Sequence, residues 1–223
     1  TTIENSKIER VNDTFEQVPT AQPRIGIEVD EDGDGTMDGI DFEEIPKEFY
    51  SDLNQEVFKK CTFCGADLSL GLDTYLIEKS FKINPSNGMK NTVFEYAICS
   101  PCNLKKLEAM SEESIENIKK YISEHFNFLE FQLRNDNKDP FSKCVVTGIP
   151  VEDLEEYNIV GQFVGDKMIK GQFPVLMSPS IGDEIQELLS QKTKDEFDDF
   201  MNEITGVPPE LKELFKTKRP VLI

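Results

Sequence analysis

Two Cys-x-x-Cys pairs constrain this chain more than any other feature of its sequence. Cys61 and Cys64 form the first pair, and Cys99 and Cys102 form the second. Thiolate sulfur is a soft ligand, and four thiolates at about 2.3 Å from Zn²⁺ complete a tetrahedral shell with no position for water or substrate. The pattern therefore predicts one structural zinc ion. A redox dithiol and an iron-sulfur cluster are the alternatives.

The segments around the two pairs follow a definite order. A knuckle at 61–65 precedes two alternating runs, at 75–83 and 92–98, which predict a β-hairpin across a polar turn. The second cysteine pair then opens a helix, and Ser111 with two following glutamates predicts the start of another. Knuckle, hairpin and helix in this order resemble the treble clef zinc finger over residues 58–125. The resemblance implies that the second ligand pair lies at the start of the helix.

The second half of the chain repeats this order. Residues 58–65 are echoed by 141–148, and the second cysteine pair is echoed around a shared Ser-Pro dipeptide. In this alignment Cys144 corresponds to Cys61 and keeps the thiol. Thr147, Met177 and Ser180 take the places of the other three cysteines, in chain order. We therefore predict a degenerate, zinc-free second copy over residues 141–204, in which apolar burial replaces the contribution of the ion. Chance similarity between short motifs is the alternative.

An acidic, glycine-rich loop occupies residues 30–41. Its carboxylates and its glycine follow an order that resembles the calcium loops of EF-hands and, because the loop ends on Asp, those of dockerins. The resemblance implies a calcium site formed by Asp30, Asp32, Asp34, Thr36 and Asp41. The loop occurs once, and the run at 25–29 before it predicts a strand instead of a helix. A solvated acidic turn is therefore the alternative.

The chain is strongly acidic. Asp and Glu number 43 against 24 Lys and Arg, which gives a formal net charge of −19. Such a surface repels the phosphates of nucleic acids and anionic lipids, so we expect a basic protein partner in preference to either. No apolar run is long enough to span a membrane, and we expect a soluble chain. Cysteines in a metal pattern suit a reducing compartment, which predicts the cytoplasm.

No set of catalytic residues stands out. His125 is the only histidine and is expected on a helix surface. The His-dependent nucleases that share the treble clef scaffold need a histidine that the predicted hairpin lacks, so the resemblance does not imply their activity. Glycine-rich phosphate loops and nucleophile elbows are absent. Cys144 is expected to be a buried core residue.

The predicted fold class is α+β, with three consecutive segments. Residues 1–57 form an acidic segment that carries the calcium-type loop, residues 58–138 form the zinc-binding treble-clef-like unit, and residues 139–223 form the metal-free repeat and the C-terminal helices. Within the first segment, apolar residues recur every three or four positions between Phe42 and Phe58, which predicts a helix, with Pro46 near its start or at a break between two short helices.

The predicted function is a non-catalytic protein-interaction or regulatory module, with an inhibitor or decoy of a nucleic-acid-binding protein as one form of it. Two other functions stay open. The first is nucleic-acid binding through lysines of the zinc unit, namely Lys59, Lys60, Lys105 and Lys106. The second is a hydrolase whose carboxylates the sequence does not single out.

Overall fold

The alternating runs predicted as a hairpin form the two longest strands of an antiparallel sheet. A computed structural model of the chain describes residues 41–126, 140–171 and 173–205, with side chains described as far as residue 200. In these residues the strands are β1 (Phe42–Glu44), β2 (Thr74–Ile83), β3 (Lys90–Cys99), β4 (Glu156–Val164), β5 (Lys167–Ile169) and β6 (Val175–Met177). The α-helices are α1 (Ser100–Ala109), α2 (Glu112–His125), α3 (Pro179–Leu188) and α4 (Gln191–Thr205). The described residues therefore form an α+β fold, as predicted.

Both halves of the chain contribute to the same sheet. The strand order is β1-β5-β4-β2-β3, and β6 also pairs with β4. Strands β2 and β4 pair antiparallel along their length, from Thr74 opposite Val164 to Lys82 opposite Glu156. Side chains of a strand alternate between the two faces of a sheet, yet β2 is buried at every position from Ile77 to Phe81. The centre of the sheet is therefore covered on both faces.

Aromatic rings pack closely at the centre of the core. The ring centroid of Phe163 lies 5.0 Å from that of Phe49 and 5.4 Å from that of Tyr75. A Cβ atom on Gly161 would lie 2.6 Å from Cζ of Phe163 and 2.8 Å from Cζ of Phe49. The absence of a side chain at Gly161 therefore leaves the space that the two rings occupy.

The helix predicted between Phe42 and Phe58 is wrong. Phe42 begins strand β1 and pairs with Ile169 of β5, and a single 3₁₀ turn follows at Lys47–Phe49. Pro46 lacks an N–H group and disfavours the helical conformation for the residue before it. An extended stretch and a tight turn bury Ile45 and Phe49, whereas Leu53, which a helix would place on the same face, is 93% exposed.

Lys79, a lysine in the core, forms ion pairs with two carboxylates. Lys79 is 1% exposed, and its Nζ donates to Asp52 at 2.9 Å and to the Tyr50 carbonyl at 2.5 Å, with a Glu95 oxygen at 3.0 Å. Burial alone would raise the pKa of Asp52, but hydrogen bonds from Lys79 and Thr92 outweigh it and hold that pKa below its ordinary value. These interactions join the loop that contains Tyr50 and Asp52 to Lys79 of strand β2.

Several predictions fall outside the described residues. The calcium-type loop lies there except for Asp41, which is exposed, and so do the strand at 25–29 and the boundary between 138 and 139. The predicted start of the second helix is confirmed, because Ser111 caps α2 by accepting a hydrogen bond from Ser114 N at 3.2 Å. In the described part of the chain, no helix is long and apolar enough to cross a membrane.

Candidate metal centre

The four cysteines of the two Cys-x-x-Cys pairs converge. Their sulfur atoms all lie within 4.8 Å of one another, and Sγ of Cys64 is 3.7 Å from Sγ of Cys99. Bonds of about 2.3 Å to a tetrahedral zinc ion place the sulfurs about 3.8 Å apart. The predicted ligands Cys61, Cys64, Cys99 and Cys102 could therefore hold one metal ion.

Backbone hydrogen bonds shape the knuckle that carries the first pair. Cys61 N donates to Ala66 O at 2.9 Å, and Gly65 N donates back to Cys61 O at 3.0 Å. Gly65 has a φ of +73°, a conformation that glycine adopts without strain. Thr62 N then donates to Ala97 O at 2.8 Å, which fixes the knuckle against strand β3. The first two thiols are thereby held beside the end of the hairpin.

The second pair lies where β3 becomes helix α1. Cys99 is the last residue of β3, where it pairs with Tyr75, and it is also the N-cap residue of α1. Cys102 follows in the first turn of the helix, and Pro101 is tolerated there because the first N–H groups of a helix have no intrahelical partner. The positive end of the helix dipole favours negative charge on thiolates at this position.

The thiols differ in exposure and in acidity. Cys61 and Cys99 are buried, Cys102 is half-buried and Cys64 is exposed. Burial raises the pKa of a thiol, but at Cys61 backbone N–H groups, that of Cys99 foremost, outweigh burial and the pKa falls to about 7. Burial raises the pKa of Cys99 to about 11 and that of Cys102 well above its usual range. An incoming ion must therefore displace protons from Cys99 and Cys102.

Four converging sulfurs distinguish among the chemistries that the spacing left open. A redox dithiol needs two thiols, and the remaining pair would then stand unexplained inside the same cluster. Sulfurs within 4.8 Å of each other leave room for one ion and little for a cage of several iron atoms. A single ion held by these four ligands has a complete shell and can stabilise the fold without polarising a substrate.

A cleft of about 330 Å³ lies beside the thiols, lined by residues of α1, α4 and the first knuckle. Lys106 lines it, with its Nζ 3.7 Å from the centre of the Phe200 ring. Phe200 in turn stacks on Phe63 of the knuckle, with the ring centroids 4.7 Å apart. Burial lowers the pKa of Lys106 to about 8, although the carboxylate of Glu78 opposes the shift. This contact between knuckle and α4 had no local signal in the sequence.

The lysines that the sequence offered for nucleic-acid binding are not equivalent in the structure. Lys106 is half-buried beside three aromatic rings, and Lys59 forms an exposed ion pair with Glu56 at 2.7 Å. Lys60 and Lys105 are exposed. A lysine held beside aromatic rings is poorly placed to contact a phosphate backbone, whereas the exposed pair with Glu56 is weak and leaves Lys59 available.

Among the residues that the structure describes, the most deeply buried carboxylate is already hydrogen-bonded within the protein. Glu78 is 1% exposed; its Oε2 accepts a hydrogen bond from the Tyr96 hydroxyl at 2.5 Å, and its Oε1 accepts one from Nδ2 of Asn158 at 2.9 Å. A carboxylate with these two donors in the interior cannot reach a substrate in the cleft without breaking them. Glu78 therefore gives no support to a hydrolase.

Cys144 and His125, the two other residues with reactive side chains singled out by the sequence, lie in a buried core position and on a helix surface. Cys144 is 0% exposed, and its Sγ accepts hydrogen bonds from Thr147 N and Ser178 N, both at 3.4 Å. His125 lies in the last turn of α2, exposed, with its ring stacked on Tyr121 at 4.2 Å. Both positions agree with the expectation of a core cysteine and a helix-surface histidine.

Comparison with known proteins gives no relative from which a function could be transferred. No protein-family model matches the chain, and neither a curated protein nor a solved structure is significantly similar to it. A fold alone does not define an activity. The candidate function therefore depends on the chemistry of the residues themselves.

Proposed function

We propose that this chain is a non-catalytic protein-interaction module built around one structural zinc ion. The observation that carries the proposal is the convergence of the four sulfur atoms within 4.8 Å of one another. Four thiolates fill the tetrahedral shell of Zn²⁺, so the ion has no open position at which water or a substrate could be activated. Its role is then to stabilise the surface that surrounds it.

The proposal includes a treble-clef-like unit over residues 58–125 and a metal-free copy over residues 141–204. The order of knuckle, β2–β3 hairpin and α1 supports the first unit. The second knuckle supports the copy, because Cys144 N donates to Ile149 O at 2.8 Å and Gly148 N donates to Cys144 O at 3.0 Å. These bonds have the same pattern as those of the first knuckle.

The proposed partner is a basic protein, and the net charge of −19 supports it. Opposite charge accelerates association and favours correct partners over acidic competitors. The position of Lys106 beside aromatic rings gives nucleic acid less support. The proposal also includes a calcium ion in the loop 30–41, which would be a second stabilising ion. The proposed compartment is the cytoplasm, because zinc-bound thiols suit a reducing environment.

The test is affinity capture at controlled ionic strength. The full chain, immobilised, is exposed to lysate of its native source beside an unrelated protein of similar net charge, and bound proteins are identified after washing. We expect a basic protein that is retained by this chain alone and lost when a zinc ligand is replaced, as in Cys61→Ser. Retention of no partner specific to this chain would refute the proposal. A salt-dependent mobility shift with DNA or RNA would favour the nucleic-acid alternative instead.

A further inference from the structure

The two halves of the sheet are related by an exchange of the proposed copies. The sequence alignment places Tyr75 on Tyr157 and Phe81 on Phe163. In the sheet, Tyr75 pairs with Phe163 and Phe81 pairs with Tyr157. If each residue is replaced by its counterpart in the other copy, the pair of Tyr75 with Phe163 becomes the pair of Tyr157 with Phe81. This is the behaviour of a two-fold axis, and its centre falls at the pair formed by Glu78 and Val160.

The same exchange relates the starts of two helices. Ser111 N, before α2, donates to Oγ1 of Thr193 at 3.0 Å, and Ser190 N, before α4, donates to Oγ of Ser114 at 2.9 Å. The hydroxyls of Ser111 and Ser190 meet at 2.8 Å. Each helix start thus binds the other reciprocally. Chance similarity between short motifs offers no reason for reciprocal contacts in two separate places.

Hydrogen bonds at the knuckles fix how the metal-binding positions correspond. Thr62 N donates to Ala97 O, and Val145 N donates to Leu176 O, both at 2.8 Å. Ala97 therefore corresponds to Leu176, and the residue two places further on is Cys99 in one copy and Ser178 in the other.

The cysteine sulfurs give the same register. Cys99 N lies 3.5 Å from Sγ of Cys61, and Ser178 N lies 3.4 Å from Sγ of Cys144. Cys99 is the N-cap of α1, and Ser178 is the N-cap of α3. The sequence alignment, which gave the position of Cys99 to Met177, is displaced by one residue.

We infer that Cys144, Thr147, Ser178 and Ile181 occupy the four corners of a second metal site whose tetrahedral frame the fold has kept. The inference rests on the duplication included in the proposed function. Oγ of Ser178 lies 3.6 Å from Sγ of Cys144, close to the separation of about 3.8 Å between two sulfur ligands of a tetrahedral zinc ion. Ile181 is 0% exposed and fills the corner that corresponds to Cys102 with apolar volume. Thiols restored at these three corners would bind a second zinc ion.

The test is the triple substitution Thr147→Cys, Ser178→Cys, Ile181→Cys in the full chain. Its matched control, Thr147→Cys, Met177→Cys, Ser180→Cys, adds the same number of thiols in the displaced register. Zinc per chain is measured, and Co²⁺ titration reports tetrahedral thiolate ligation by its absorption bands. We expect two ions per chain in the first variant, one in the control and one in the unaltered protein.

Every other outcome counts against a specific statement. A second ion in the control but not in the first variant would overturn the register, and one ion in both would overturn the inference. If the loss of Ile181 prevents folding, Thr147→Cys with Ser178→Cys leaves the core intact and offers three thiolates; failure of this folded variant to bind Co²⁺ at the second site also overturns it. An unaltered chain without zinc would refute the proposed function. If the unaltered chain holds one zinc ion and the folded cysteine variants hold no second ion, only this inference is refuted.

Discussion

Replacement of one zinc ligand should destabilise the fold far more than replacement of the fifth cysteine. In Cys99→Ser the site loses a thiolate at the junction of β3 and α1, where the ligand joins the sheet to the helix. Binding at a free zinc concentration of about 1,000 times Kd stabilises a folded chain by about 4 kcal/mol. For a protein of 150 to 250 residues this corresponds to a fall in Tm of about 8 to 16 °C when the ion is lost.

The matched control is Cys144→Ser, which also removes a buried thiol. A serine hydroxyl at this position can accept the hydrogen bonds that Thr147 N and Ser178 N now donate to sulfur. We expect a loss of about 1 kcal/mol, typical of a single buried substitution that leaves its hydrogen bonds satisfied. The two variants thus separate the contribution of the ion from that of ordinary packing.

Thermal unfolding followed by circular dichroism, with and without a zinc chelator, measures both effects. The unaltered chain and Cys144→Ser should lose stability on chelation, whereas Cys99→Ser should already be destabilised and should respond little. Equal losses in the two variants, or an unaltered chain whose Tm ignores the chelator, would refute the reasoning.

Three further predictions concern packing, a buried hydrogen bond and proton competition. Gly161→Ala should cost about 1 to 3 kcal/mol in urea unfolding, because its methyl group would strike the rings of Phe163 and Phe49; unchanged stability would contradict this packing. Tyr96→Phe should cost about 1.5 to 3 kcal/mol, because the buried carboxylate of Glu78 loses its hydroxyl donor, and a midpoint equal to that of the unaltered chain would count against that bond. Zinc affinity should fall as the pH drops from 8 to 6, because a thiol with a pKa raised to about 11 is protonated below that value and the ion must displace its proton; a chelator competition that is independent of pH would contradict thiolate ligation.

Features with local causes could be predicted from the sequence. The cluster of four cysteines that could hold a metal ion follows from the spacing within each Cys-x-x-Cys pair, and the hairpin follows from alternation and a polar turn. The start of α2 follows from the capping ability of Ser111. In each case the residues that determine the element lie within a few positions of it.

Features that depend on distant partners could not be predicted. Phe42 is extended because it pairs with Ile169, which the spacing of apolar residues around it does not reveal. The core position of Lys79 depends on Asp52 and Glu95, and sequence alone gives no reason to place these charges together. In the proposed duplication, the correspondence of Cys99 to Ser178 instead of Met177 likewise depends on distant contacts, because Val145 N donates to Leu176 O and Ser178 N donates to Sγ of Cys144.

The zinc content of the unaltered protein tests the central claim most directly. The chain is purified under reducing conditions without added metal, and zinc is measured by elemental analysis against protein concentration. We predict one zinc ion per chain, released when thiol-modifying reagents block the four cysteines of the site. A chain that carries no zinc, or whose paired cysteines are joined as disulfides, would contradict the account.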